Sequence, residues 1–156
     1  MWSAATVFVC ALELLGRSAA SFPPVQFVEK APTGISSQVA GYVLAGEGRI
    51  VVITSTDAFT RARQSKDRCN DLDALREVAG VLAHEEWHVR HGPDEEGAYD
   101  AQLIALLRAG AHEDSALFHK VKQAKLAVAA ASRRRADMGR SARGSPVDDG
   151  SQRNRP

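Results

Sequence analysis

Cysteine is almost missing from this 156-residue chain: Cys10 and Cys69 are its only two. Two thiols cannot build the disulfide framework of a small cross-linked scaffold, and they exclude four-cysteine zinc coordination. Net charge is almost missing too. The balance of 20 Lys and Arg against 19 Asp and Glu leaves +1, so no global field selects nucleic acid or an anionic surface. No apolar run is long enough for a stable membrane span; the first, "WSAATVFVCALELLG", is short and interrupted by Glu13. No internal repeat is present. What remains is an ordinary balance of 44% apolar and 25% charged residues, which predicts one domain with a buried core. Nothing in it sets an oligomeric state.

Residues 1–20 carry two expectations. The apolar run has the length of a signal-peptide core, and "GRSAAS" supplies small residues for a cut after Ala20, although no Lys or Arg precedes the run. The other reading is an amphipathic N-terminal helix packed on the core. The first implies a secreted or periplasmic protein that has lost Cys10, and the second a cytoplasmic one. Cys69 reads as a lone buried thiol in either case.

The body of the chain, 21–137, predicts an α+β domain. "SFPPVQFVEKAPTG" is an extended, Pro-punctuated opening segment. Two β-branched or aromatic runs flank "AGEG", predicting an antiparallel hairpin from Val39–Leu44 and Arg49–Thr54 with its turn at Gly46–Gly48. "TDAFTRARQ" suits a short helix capped by Thr56 or Asp57. From Asn70 or Asp71 the apolar period becomes helical, with Leu72, Leu75, Ala79 and Leu82 on one stripe, until Gly92-Pro93 breaks it. Asp94 then caps a second helix, with Leu103, Leu106 and Leu107 facing inward and Gly110 as its stop. A third helix is expected from about Asp114 to the Arg cluster, with His112 and His119 as exposed helix residues. Residues 138–156 have almost no apolar side chains and read as a disordered tail. The tail's Arg residues are interspersed with Asp and lack aromatics for stacking, so it reads as solvated rather than as a contact for nucleic acid or anionic lipid.

One stretch stands apart. "LAHEEWHVRHGPDEEGAYDAQL" (82–103) gathers His84, His88 and His91 with Glu85, Glu86, Asp94, Glu95, Glu96 and Asp100. His84-Glu85-Glu86-Trp87-His88 has H-E-x-x-H spacing. On a helix, positions i and i+4 lie on one face, so both imidazoles reach a common ion. Glu85 projects beside them, within reach of a water on that ion. Zinc suits this donor set. The bland alternative is a solvated helix whose glutamates pair with Arg90 or Arg76. Against it, "LREVAGVLA" carries no charge between Glu77 and His84, which puts the histidines on a helix through the interior. Trp87 is expected to face away from His84 and fill the core behind the helix.

The third ligand is open among His91, Asp94, Glu95, Glu96 and Asp100. His91 lies too far along the helix axis to share the ion. Asp94 stands where the H-E-x-x-H-x-x-G-x-x-H/D pattern places a ligand, but that pattern needs Gly at 91 and the glycine here is Gly92. A turn at Gly92-Pro93 brings the next helix back over the histidines and presents Glu95, with Tyr99 and Gln102 further along the same face. Glu95 is the first choice, Glu96 the second and Asp94 the third.

"HEEWHVRHGPDEEGAYDAQL" resembles the small gluzincin-type metallopeptidases, which combine H-E-x-x-H on one helix with a Glu, often in E-x-x-A, on the next. "EEGA" (Glu95–Ala98) matches that second element. The resemblance implies a zincin-like helical core, Zn²⁺ held by His84, His88 and Glu95, and hydrolysis of a peptide or protein substrate by a metal-activated water with Glu85 as general base. It also implies a sheet whose edge strand lies along the cleft. Tyr99, His91 and Arg90 are available to stabilise the oxyanion, with Tyr99 best placed. The competing expectation is a non-catalytic zinc-binding or interaction module, in which Glu85 has no chemical task.

Overall fold

Ile50-Val51-Val52-Ile53 has no polar alternate, the pattern of a strand covered on both faces and paired on both edges. In the computed structural model, which describes residues 1–35, 39–44 and 46–142, this segment belongs to the central strand. The strands are β1 (Val25–Val28), β2 (Gly41–Leu44) and β3 (Arg49–Ile53), in the order β1-β3-β2. β2 and β3 form the expected antiparallel hairpin, with Gly41 opposite Val52 and Val43 opposite Ile50. The wholly antiparallel sheet expected from sequence is corrected by β1, which pairs parallel to β3 with Val25 opposite Ile50. Pro23-Pro24 stops just short of that strand, and the Pro24 carbonyl accepts from Ile50 N at 3.0 Å. Proline is tolerated there because it supplies only an acceptor.

Five helices accompany the sheet among the described residues: α1 (Ala4–Leu14), α2 (Asp57–Gln64), α3 (Leu72–His91), α4 (Glu95–Arg108) and α5 (Ala116–Ala142). The fold is therefore α+β. Val7, Cys10, Ala11 and Leu12 of α1 share one core with Phe59 of α2, Ile50 and Val52 of β3, and Leu75, Val78, Ala79 and Leu82 of α3. By the two-residue period of a strand, Val25, Phe27, Gly41 and Val43 face that core with Ile50 and Val52. None of the described helices is long and apolar enough to cross a membrane.

The cysteine expectation is corrected: Cys10 and Cys69 form a disulfide. Cys69 is thus neither lone nor a free thiol. The bond joins α1 to the loop between α2 and α3, and closes a separation of 59 residues. The packing of α1 on α3 brings the two cysteines together, a contact between distant segments that no local pattern encodes.

α3 is capped by Asp71, whose side chain accepts from Ala74 N. It ends at Gly92, where φ is 83°, a left-handed value that favours glycine. Pro93 follows and α4 returns antiparallel to α3, capped by Asp94 through Gly97 N. The stripe that α4 buries is Ala98, Gln102, Ala105 and Ala109, together with Leu106. Leu107 was expected inward but is exposed, as is Leu72 on the first turn of α3. Small side chains take the α4 interface because Gly80 lets the helices approach closely: a Cβ there would stand 3.1 Å from Leu106 Cδ2. The start of the last helix is corrected from Asp114 to Ala116, with Ser115 Oγ accepting from Phe118 N. His112 accordingly lies in the preceding loop, while His119 is exposed on α5. Residues 138–142 belong to α5, and the remainder of the expected disordered tail, 143–156, lies outside the described residues.

Candidate metal centre

The two helices that meet at the Gly92-Pro93 corner bring His84, His88 and Glu95 together. His84 Nε2 lies 3.2 Å from His88 Nε2. Each imidazole Nε2 lies 3.4 Å from a Glu95 carboxylate oxygen, His84 from Oε2 and His88 from Oε1. These three side chains form a group whose ligand atoms could hold one ion. Donors bound to zinc at about 2.0–2.1 Å with tetrahedral angles stand about 3.3–3.4 Å apart, so the spacing fits that metal.

Protonation strengthens the fit. His88 Nδ1 lies 2.8 Å from the Gly92 carbonyl. A carbonyl only accepts, so Nδ1 donates and neutral His88 presents a bare lone pair at Nε2. The corner that ends α3 therefore also orients the His88 ring. Burial, followed by neighbouring His88, holds His84 below the ordinary imidazole pKa, with Glu95 acting in the opposite sense. Two imidazoles and a carboxylate thus converge on one point. Their side chains are unequally exposed, 12% for His84, 14% for His88 and 51% for Glu95, so the point is reached from solvent along the α4 side.

Glu85 is buried. Burial and then the Glu95 charge push its carboxyl up to about 8 in the metal-free protein, whereas a divalent ion beside it favours the ionised form. Room for Glu85 comes from the sheet. Gly41 occupies the core-facing row of β2, and a Cβ there would stand 3.1 Å from Glu85 Cγ and 3.2 Å from Val81 Cγ1. Sequence reading passed over Gly41, although a glycine inside a strand signals a close approach. Tyr99 meets His84 edge-on, with ring centroids 4.7 Å apart. Its phenol pKa is raised by burial, by Glu95 and by Glu85.

The other candidates are engaged elsewhere. Asp94 caps α4, Asp100 pairs with Lys125, and exposed Glu96 is outside the converging group. His91 Nδ1 lies 3.2 Å from the Trp87 carbonyl. Trp87 is corrected from core filler to corner residue: it stacks on His91 at 3.9 Å and lies so close to α4 that a Cβ on Gly97 would stand 2.6 Å from its Cζ2. Glu86, next to the proposed base, is buried between Arg17 and Arg90, which withdraws Arg90 from the oxyanion role. A second acidic and sulfur group, Cys10, Glu13 and Cys69, offers no thiolate because its sulfurs are bonded to each other.

Compared with protein-family models, curated proteins and solved structures, the chain matches none.

Proposed function

We propose that the protein is a zinc-dependent metallopeptidase with a zincin-like core, related in design to the small gluzincins. One observation carries the reading: three Lewis bases on two helices converge at the spacing of a tetrahedral ion, with a fourth, non-ligating carboxylate buried alongside. His84, His88 and Glu95 would hold the metal. Bound zinc supplies a Lewis acid that lowers the pKa of a water molecule and polarises a carbonyl. Glu85 would serve as the general base and acid there, taking a proton from the attacking water and passing it to the leaving amine. The Tyr99 hydroxyl is the donor best placed for the developing oxyanion.

The substrate is an extended peptide. Among the described residues β2 pairs with β3 alone, and Gly41 on β2 lies against Glu85. A peptide adding to the other edge of β2 would bring its carbonyl toward the ion by main-chain hydrogen bonding.

The test couples metal analysis to Glu85→Gln. The reading expects zinc in both proteins and peptide hydrolysis only in the unsubstituted one. Zinc in both with hydrolysis in neither favours a non-catalytic zinc module, and zinc in neither removes the metal centre altogether.

A further inference from the structure

The two ligating histidines differ in what holds their second nitrogen. His88 Nδ1 is fixed by the Gly92 carbonyl, whereas His84 Nδ1 is buried without a hydrogen-bond partner among the described residues. A neutral imidazole that offers Nε2 to a metal carries its proton on Nδ1, and that proton needs an acceptor when buried. The question is which group supplies it.

Gln102 is a buried polar side chain on α4, two turns beyond Glu95 on the same face. It packs on α3 one turn before His84, where a Cβ on Gly80 would stand 3.3 Å from its Cγ and 3.4 Å from its Nε2. Gly80 is thus a recess in the active helix that admits a glutamine where a neighbouring methyl would crowd it. A Gln side chain between Ala98 and Ala105 on a helix interface is costly to bury unless its amide is used. On this face of α4, Glu95 meets the other ring nitrogen, Nε2, and Tyr99 meets the ring edge-on, so Gln102 is the remaining polar side chain.

We propose that Gln102 is the positioning residue of His84: its amide oxygen accepts from Nδ1–H and fixes the Nε2 lone pair on the metal. The inference deepens the zinc reading and rests on it. Glutamine suits the site because rotation of its amide presents an oxygen or an NH₂, so it matches either tautomer of His84 as metal enters or leaves.

The experiment measures zinc affinity by chelator competition on the full chain, with thermal unfolding of each metal-free form. Gln102→Met keeps length and removes the acceptor, and is expected to weaken zinc binding by about 10–100-fold. Gln102→Glu restores an acceptor oxygen and is expected to recover most of that loss. Affinity unchanged in Gln102→Met overturns the inference while leaving the zinc reading intact. So does a drop in metal-free stability without a change in affinity, since that is a packing role alone. An unsubstituted chain that binds no zinc fails the zinc reading and this inference with it. Nitrogen-15 NMR of the zinc-loaded, unsubstituted chain gives a readout that needs no variant. A His84 Nδ1 proton protected from exchange supports the bond, and one exchanging at solvent rates overturns it.

Discussion

His88 Nε2 faces His84 Nε2 at 3.2 Å, while the opposite ring nitrogen of His88 is tied to the Gly92 carbonyl at 2.8 Å. In the neutral imidazole this leaves a bare lone pair at Nε2, with a Glu95 carboxylate oxygen 3.4 Å away. A proton on His84 Nε2 or a cation held among the three side chains would satisfy this arrangement.

Loss of the returning carboxylate is therefore the sharpest test of the ligand set. Glu95→Ala is expected to weaken zinc binding by more than about a hundredfold, beyond the range of an outer-sphere partner. Glu96→Ala, one residue further along α4, is expected to leave affinity unchanged. Chelator competition compares the two directly, and equal losses would reassign the ligand.

Gly41→Ala probes the contact between sheet and base. The added Cβ, 3.1 Å from Glu85 Cγ, pushes the carboxylate away from the ion without touching a ligand. Hydrolysis is expected to fall by about tenfold or more, in line with the cost of small misplacements of a catalytic group, with zinc content preserved. Full activity in this variant would separate Glu85 from the chemistry.

Much of this centre was legible because it is local. The i, i+4 spacing of His84 and His88 requires only that α3 form, and Gly92-Pro93 with Asp94 predicts both the break and the next helix start. Glu95 then follows from the return of α4. What escaped depends on distant segments. β1 finds β3 across the intervening β2 in sequence, Cys10 finds Cys69 only after α1 packs on α3, and Trp87 settles against Gly97 because the corner closes tightly. Of the leucines expected inward on α4, Leu106 is buried and Leu103 packs beside it, but Leu107 is exposed: Gly80 draws the helices together, so Ala98 and Ala105 fill the interface with α3 where a larger residue was expected.

The disulfide predicts a redox-dependent stability. A cross-link closing 59 residues constrains the unfolded chain, and such bonds contribute about 2–4 kcal/mol. Cys10→Ser, or reduction of the native protein, is expected to lower the unfolding free energy by that amount in a denaturant titration. No change on reduction would contradict the cross-link.

Glu86 predicts a pH dependence. Burial alone would raise its carboxyl pKa, but Arg17 and Arg90 outweigh burial and hold it below the usual carboxylate value. Since the folded pKa lies below the unfolded one, the stabilisation is fully present above the unfolded value, about 4.3, and is lost as pH falls through the folded value. Glu86→Gln is expected to cost about 2 kcal/mol at neutral pH, the scale of a charge-assisted hydrogen bond. The gap between the two proteins should shrink on acidification below about pH 4. Thermal unfolding across an acid series measures it, and a gap that stays constant would remove the ion pair as its cause.

X-ray absorption at the zinc edge of the full-length, zinc-loaded chain tests the central claim most directly. The account predicts one zinc per chain, bound only by nitrogen and oxygen at about 2.0–2.1 Å, with the scattering signature of two imidazoles that drops to one in His84→Ala. A sulfur neighbour, or a spectrum that His84→Ala leaves unaltered, would contradict it.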